Sequence, residues 1–477
     1  MRFSEYFDLK RTQAFLDFVD IPLDTDLSVF LDPSAIKSLN SPWGTELSSL
    51  LQSFFETVLK LIKDGNHKRA RMLLSQLNES NEFHLGYSIG QSRGHGFGTE
   101  SADLVWNALT KSKAAKSGLL KDLEDTALLI NGIGTDMISD AVCNILRAPL
   151  IKYTQDMCRY YGIRLTPNVV SGPMWNPQKE TWENGLVDLP VTKHGKVILT
   201  PKILVRGRLS FQFDEYYRYY VLPEMQLEHL RKLSSLVETL KNGSQRVTKK
   251  ALMNKYGKDK LAAVDQTILK PYILEQYKND KFENPSSPIS IEQFSELEKV
   301  EKPDLESLIK ELKSLKPGKK QADEYENIIE KILSLLFYPS LCNPTKQHRI
   351  HDGRKRIDIT YTNEAKHGFF YWLAIHYPAS HIFVECKNYG KEVSNPEIDQ
   401  LSGRFSPSRG KIGILVCRSI ENRELLVQRC IDTAKDDRGY IIVIDDNDIV
   451  KLIEQQEDNV KSQSFDILKE YWNGLIN

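Results

Sequence analysis

The last third of the chain, residues 321–477, alternates short apolar runs with amphipathic stretches, and this order constrains the fold more than any other feature. A helix is predicted over Ala322–Phe337 because apolar residues recur there at three- and four-residue spacing. The predicted strands are Arg356–Thr362, His381–Lys387, Lys411–Cys417 and Tyr440–Asp445. Strands that alternate with helices predict a mixed α/β domain whose sheet is covered on both faces.

Three more helices complete this pattern. One opens at Asn395, a good N-cap, with Pro396 at the first helical position, where its missing N–H costs nothing. The others are predicted over Asn422–Ala434 and from Asn447. Between the first two strands, the segment Asn363–Ser380 is expected to be an extended hairpin or an insertion.

The rest of the chain predicts a multidomain protein: a mixed α+β region over residues 1–225, a helical connector and linker over 226–320, and the domain of residues 321–477. Upstream, helices are predicted over Glu46–Ile62 and Asp136–Leu146, and Thr135 or Asp136 is the expected N-cap of the second helix. Two strands are predicted within Lys196–Phe213, and an exposed linker helix over Asp304–Leu315.

Composition excludes several classes of protein. The 477 residues carry no net charge, so any nucleic-acid binding depends on local patches. No run of about 18 apolar residues exists, and the N-terminus lacks the apolar segment of a secretory signal. The six cysteines form no CxxC pair, which favours reduced thiols and a cytoplasmic location.

The strand ending in Glu385-Cys386-Lys387 carries the clearest chemical signal. Strand alternation places Glu385 and Lys387 on one face, and buried charges there need either each other or a metal ion. Asp358 lies near one end of the predicted neighbouring strand. Two carboxylates at the ends of adjacent strands can bind one Mg²⁺ ion. The backbone carbonyl of Cys386 is a candidate third ligand. The alternatives are a structural Glu385–Lys387 ion pair, and a pairing of Asp358 with Arg354 or Arg356.

Asp358 followed by Glu385-Cys386-Lys387 resembles the PD-(D/E)xK signature of restriction-endonuclease-like nucleases, in particular their Mrr-like branch. Glu326 matches the upstream acidic residue of such families, and Gln400 matches their glutamine-bearing helix. The resemblance covers residues 321–477 alone and implies an αβββαβ core. It also implies that Asp358, Glu385, Lys387, Glu326 and Gln400 are catalytic, with Asp358, Glu385 and Cys386 around the metal.

This resemblance implies a Mg²⁺-dependent endonuclease (Mn²⁺ substituting) that acts on duplex DNA in restriction or antiviral defence. It further implies a companion defence protein or a homo-oligomer, and no membrane. Two alternatives stay open: an inactive nuclease fold that binds nucleic acid or assembles a complex, and a nuclease for RNA or branched DNA. The basic residues assigned to nucleic-acid binding are Arg356, Lys391, Arg404 and Arg409, with solvated surface charge as the alternative.

The N-terminal region offers weaker signals. The glycine-dense Gly86–Gly98 lacks the ending of a P-loop, which favours a loop over a nucleotide site. Asp136 and Asp140 share a predicted helical face and could bind a metal, although one of them could simply cap the helix. The aromatic run Tyr216–Tyr220 favours a packing face over stacking on unpaired bases.

Overall fold

A five-stranded mixed sheet organises the C-terminal part of the protein, in the order β1-β2-β3-β4-β5. Its strands are β1 (Leu341–Ile350), β2 (Lys355–Asn363), β3 (His381–Lys387), β4 (Ile412–Cys417) and β5 (Tyr440–Asp445). The first three strands pair antiparallel, and β3, β4 and β5 pair parallel. This computed structural model describes residues 1–77, 80–86, 97–350, 355–390, 393–456, 458 and 462–476.

Helices cover both faces of this sheet. They are α1 (Leu305–Ser314), α2 (Ala322–Phe337), α3 (Gly368–His376), α4 (Asn395–Ser402), α5 (Arg423–Lys435), α6 (Asp446–Glu454) and α7 (Asp466–Ile476). Every residue of β4 is buried, as a central strand between two helical layers requires. The mixed α/β class predicted for this part is therefore confirmed.

Most element boundaries in this region agree with the sequence predictions, with one correction. The N-cap of α4 is Ser394 and not Asn395, because Ser394 forms a reciprocal capping box with Glu397. Of the two alternatives for Asn363–Ser380, the structure has the insertion, which holds α3. Strand β1 was not predicted from the sequence.

The N-terminal region and connector consist of helices and two-stranded ribbons. Their α-helices of eight residues or more are Pro42–Lys63, His67–Leu74, Phe97–Lys111, Thr135–Ile145, Arg147–Tyr161, Leu222–Arg231, Lys249–Tyr256, Lys260–Leu269, Tyr272–Glu283 and Ile291–Glu298. The shorter helices are Phe3–Tyr6, Gln13–Phe15, Pro33–Lys37, Lys113–Ser117, Asp125–Leu129, Lys202–Leu204, Phe213–Tyr216, Tyr217–Val221 and Lys319–Gln321. The ribbons pair Phe30–Leu31 with Val205–Arg206, Thr166–Val170 with Leu186–Leu189, Met174–Asn176 with Thr181–Glu183, Val191–Thr192 with Gly195–Lys196, and Glu238–Thr239 with Gln245–Arg246.

Two predictions in this region are wrong in detail. The helix Thr135–Ile145 has Gly134 as its N-cap, so neither Thr135 nor Asp136 caps it. The predicted strands within Lys196–Phe213 reduce to two-residue ribbons and a 3₁₀ turn. The apolar residues of this segment are buried although its backbone is irregular, since residues 197–199 and 203–205 lie in the core.

The N-terminal region packs directly on the C-terminal sheet. Asp17 accepts a hydrogen bond from the backbone N–H of Asn343 in β1 at 3.0 Å. The Glu364 carboxylate, just after β2, accepts one from the backbone N–H of Asn40 at 2.7 Å. In the described ranges, no helix has both the length and the apolar character needed to cross a bilayer.

Candidate active site

Asp358 and Glu385 meet where β2 and β3 separate. The ladder between these strands pairs Ile359 with Val384, so one step further the register sets Asp358 opposite Glu385. Opposed residues of an antiparallel pair lie on one face of the sheet. Asp358 Oδ2 also accepts a hydrogen bond from the backbone N–H of Cys386 at 2.8 Å. The two predicted carboxylates are therefore brought together, as the sequence analysis required.

Glu385 is buried, with 1% of its surface exposed, and both of its carboxylate oxygens have cationic partners. Lys387 Nζ lies 2.7 Å from Oε1, and the guanidinium of Arg404 donates to Oε2. Burial alone lowers the pKa of Lys387, but the Glu385 carboxylate outweighs it, so the pKa is raised above its usual value. Lys387 thus stays protonated beside the acidic pair.

Glu326, on the first turns of α2, approaches the same site. Its Oε1 is buried and forms an ion pair with Lys346, whose Nζ lies 3.4 Å away. Burial is the main cause that raises the pKa of Glu326, and the Glu385 carboxylate contributes. Lys346 offsets this rise only in part, so the pKa of Glu326 stays above its usual value.

The pKa of Asp358 is raised to about 7. Burial is the largest cause and repulsion from Glu385 and Glu326 adds to it, while the hydrogen bond from Cys386 and the charge of Lys387 lower the pKa in part. The carboxyl group therefore exchanges its proton near neutral pH. Such a shift at a site of convergent charges is typical of functional carboxylates.

The remaining predicted residues occupy different positions. Gln400, on α4, lies with its Oε1 at 3.4 Å from Lys387 Nζ. Burial raises the pKa of the Cys386 thiol well above its usual value, so this thiol is not a nucleophile at neutral pH. Arg409 is half-buried and donates to the Ser406 hydroxyl at 3.2 Å. Lys391 and Arg354 lie outside the described residues, as does the side chain of Arg356.

Arg404 requires a correction. We expected it to contact nucleic acid, but only 3% of its surface is exposed and its guanidinium pairs with Glu385. Its position on the turn after α4 therefore serves the acidic pair and not a solvent-facing phosphate. No local signal in the sequence indicates that Arg404 reaches Glu385.

The donor atoms around Asp358 suit a hard cation. Carboxylate oxygens are what Mg²⁺ prefers, and the buried Glu326 Oε1 has the Lys346 ammonium, 3.4 Å away, as its partner. Within the described ranges, however, no three His, Cys, Asp or Glu side chains already stand as a metal-binding group. Both Glu385 oxygens face cations instead, those of Lys387 and Arg404.

The other candidate features of the sequence do not form a site. Asp136 and Asp140 share the helix Thr135–Ile145, but no metal-binding group involves them among the residues described. Tyr216 and Tyr217 are buried, as the packing interpretation predicts, whereas Tyr219 is 67% exposed, so that interpretation holds for only part of the tyrosine run. Most of the Gly86–Gly98 segment lies outside the described residues.

Comparison with known proteins gives one family. A family model described as a domain of unknown function (DUF8370) matches residues 8–212, which is less than half of the chain and ends before the candidate site. No curated protein and no solved structure matches the chain. The chain is thus similar to DUF8370 in its N-terminal region.

Proposed function

We propose that the protein is a metal-dependent endonuclease that hydrolyses phosphodiester bonds in duplex DNA, with its active site at Asp358, Glu385 and Lys387. The observation that carries the proposal is the meeting of Asp358 and Glu385 on one face at the end of two strands, with Lys387 Nζ 2.7 Å from Glu385. An acidic pair with a protonated amine beside it is the arrangement that phosphodiester hydrolysis with a divalent cation needs.

The order of elements supports the same proposal. Reading along the chain, α2, β1, β2, β3, α4 and β4 follow the αβββαβ order implied by the resemblance to PD-(D/E)xK nucleases. The insertion with α3 lies between β2 and β3 and explains the long separation of Asp358 from Glu385. A role in bacterial restriction or antiviral defence rests on this resemblance alone.

Asp358 and Glu385 are the residues that would hold Mg²⁺, with the Cys386 carbonyl as a further candidate ligand. When bound, the ion supplies a water of lowered pKa and stabilises charge on the phosphate. Glu385 must exchange one of its cationic partners to bind the ion. Asp358 must lose its proton, which its pKa of about 7 permits near neutral pH.

The other side chains have roles that follow from their contacts. Lys387 keeps its charge and is placed to orient the attacking water or to stabilise the negative phosphate oxygens. Gln400 restrains the Lys387 ammonium from α4. Arg404 neutralises Glu385 from the buried side, so it is a positioning residue. Water attacks the phosphorus and the bond to the leaving sugar oxygen breaks.

Cleavage of supercoiled plasmid in Mg²⁺, with EDTA as the blank, tests the proposal. Asp358→Asn should lower cleavage by about 10³-fold or more, since several kcal/mol of metal-dependent stabilisation are lost. Glu385→Gln and Lys387→Met should act in the same direction. Glu364→Gln is the matched control, because Glu364 is a buried carboxylate beyond the other end of β2. Full Mg²⁺-dependent cleavage by Asp358→Asn would contradict the assignment.

One observation favours a second candidate, a nuclease-like fold that binds nucleic acid without cutting it. Both Glu385 oxygens are already paired with Lys387 and Arg404, as in a purely structural ion pair. Binding that survives EDTA, with no cleavage in Mg²⁺ or Mn²⁺, would support this candidate. Single-stranded DNA, junction DNA and RNA in the same assay separate the proposed substrate from the alternatives.

A further inference from the structure

A lysine-rich loop lies against the end of the strand that carries Glu385 and Lys387. The loop is Lys316-Pro317-Gly318-Lys319-Lys320, called here the lysine loop. Its Gly318 N–H donates to the backbone oxygen of Asn388 at 2.7 Å, and Asn388 directly follows Lys387. The sequence predicted this segment as part of an interdomain linker, but its backbone is bonded one residue away from the candidate active site.

The Asn388 side chain fixes the loop from beneath. Only 4% of this residue is exposed, and its Nδ2 donates to the backbone oxygens of Lys316 at 3.2 Å and Gly318 at 2.8 Å. Gly318 adopts φ +122°, a conformation that side-chain-bearing residues rarely adopt. The path of the loop is therefore defined by a buried polar anchor and by its glycine.

A second anchor holds the helix that leads into the loop. Arg418, just after β4, donates to the backbone oxygens of Leu312 at 3.2 Å and Leu315 at 2.9 Å. Arg418 also pairs with Asp446 at 3.3 Å, and its guanidinium lies over the ring of Tyr325, 5.0 Å from the centroid. Two side chains at adjacent strand ends thus clamp the C-terminus of α1 and the loop on the edge of the sheet where the candidate site lies.

The lysine side chains of this segment are exposed and therefore accessible to a binding partner. Lys313, Lys316, Lys319 and Lys320 are exposed and form no ion pair with any residue in the described part of the chain. The neighbouring Lys310 and Lys331 differ, because each pairs with a glutamate. The exposed acids of the flanking helices are Asp304, Glu306, Glu311, Asp323 and Glu324, of which Glu306 and Glu311 pair with lysines. Between Lys313 and Lys320 the chain carries four lysines and no acid.

We infer that the lysine loop, together with Lys313, binds the phosphate backbone of duplex DNA and seats it over the candidate site, an inference that rests on the proposed function. Duplex DNA carries about one negative charge per 1.7 Å of its axis. When one phosphate lies at Lys387, the adjacent phosphates of the DNA backbone are therefore available to the lysine loop. Because the backbone of the lysine loop is already anchored, its lysines lose less conformational entropy on binding phosphates than lysines on a flexible linker would.

The test is the salt dependence of duplex binding, measured by fluorescence anisotropy in the Asp358→Asn background so that no cleavage interferes. The variant changes Lys316, Lys319 and Lys320 to Gln. Its slope of log K against log salt, over about 50 to 200 mM, should be shallower by roughly 2 to 3, since each lost phosphate contact removes about 0.9. Affinity should fall about tenfold or more, and changing the same lysines to Arg should restore both.

The matched control changes Lys60, Lys63 and Lys68 to Gln, because these lysines are also exposed and form no ion pair with the described residues. An unchanged slope in the loop variant, or an equal loss in the control, would overturn the inference. Loop-dependent binding to phosphatidylserine vesicles without loop-dependent DNA binding would also overturn it. If the loop variant loses DNA affinity but the wild-type chain never cleaves, the proposed function fails and the DNA-binding surface stands.

Discussion

The two halves of the molecule each bury an arginine, and the two arginines differ in what surrounds them. Arg147, in the N-terminal region, is 2% exposed and donates to Ser80, Asn144, Ser171 and Glu82. Arg404, 3% exposed, instead pairs with Glu385. In both, the Nε has no acceptor.

The acids around the two arginines explain this difference. Glu82 also meets Lys196 at 3.0 Å, and its cations lower its pKa to about 2 despite partial burial. Near Arg404, by contrast, burial and the negative charges of Glu385 and Glu326 raise the pKa of Asp358 to about 7. In the N-terminal network Arg147 and Lys196 neutralise Glu82, whereas we propose that the C-terminal cluster binds a divalent cation. The comparison thus separates a structural network from a candidate site.

Replacing each arginine by Met tests this comparison, and we expect it to have the largest effect on the free energy of unfolding. In EDTA, Arg404→Met should lower the free energy of unfolding by about 3–5 kcal/mol, because it leaves Glu385 buried with Lys387 alone. Mg²⁺ at about 100 times its Kd should return about 2.7 kcal/mol of that loss. Arg147→Met should be destabilised equally with and without Mg²⁺.

Urea unfolding in EDTA and in Mg²⁺ provides this measurement. The comparison fails if Mg²⁺ restores both variants alike, or neither.

Asp358→Asn should make the protein more stable at pH 8 while it abolishes cleavage. The folded pKa near 7 exceeds the unfolded value of about 3.9, so the native chain holds the extra proton between them. The stability from Asp358 is therefore complete below about pH 4 and is lost as the pH rises to about 7. Asn keeps an acceptor for the Cys386 N–H without the charge, which should add on the order of 2 kcal/mol at pH 8.

The difference in unfolding free energy between Asp358→Asn and the wild-type chain, measured from pH 5 to pH 8 in EDTA, checks this sign. A variant that is less stable at pH 8 than at pH 5, relative to wild type, would contradict the raised pKa. Glu364→Gln serves as the control for removal of a buried carboxylate elsewhere.

Sequence reasoning succeeded where local pattern and structure coincide. The bounds of α2, β3 and β5 agree with the prediction because their apolar periodicity is strong. Helix α3 was missed since Gly368–His376 is apolar on nearly every side and has no helical period to read. Strand β1 was missed because Pro344 and the polar Lys346–Arg349 weaken its strand pattern.

For the candidate site, the sequence predicted the pair Asp358 and Glu385 because Asp358 lies near the start of one predicted strand and Glu385 near the end of the next. The pairing of Arg404 with Glu385 could not be predicted, because it depends on how the turn after α4 packs beneath β3. The same holds for Asn388 and Gly318 of the lysine loop, which are 70 residues apart in the chain yet joined by a backbone hydrogen bond and by one from the Asn388 side chain. Contacts of this kind follow from tertiary packing and leave no periodic signal.

Glu326→Gln is expected to have the smallest effect and to show how far the acidic cluster extends. Its buried Oε1 lacks a hydrogen bond, and its charge helps to raise the pKa of Asp358. If Glu326 supports the ion from outside the ligand pair, cleavage at saturating DNA should fall about tenfold and the Mg²⁺ concentration at half-maximal rate should rise. Glu324→Gln, an exposed glutamate on the same helix, should leave both unchanged. Equal rates for Glu326→Gln and Glu324→Gln would restrict the candidate site to Asp358, Glu385 and Lys387.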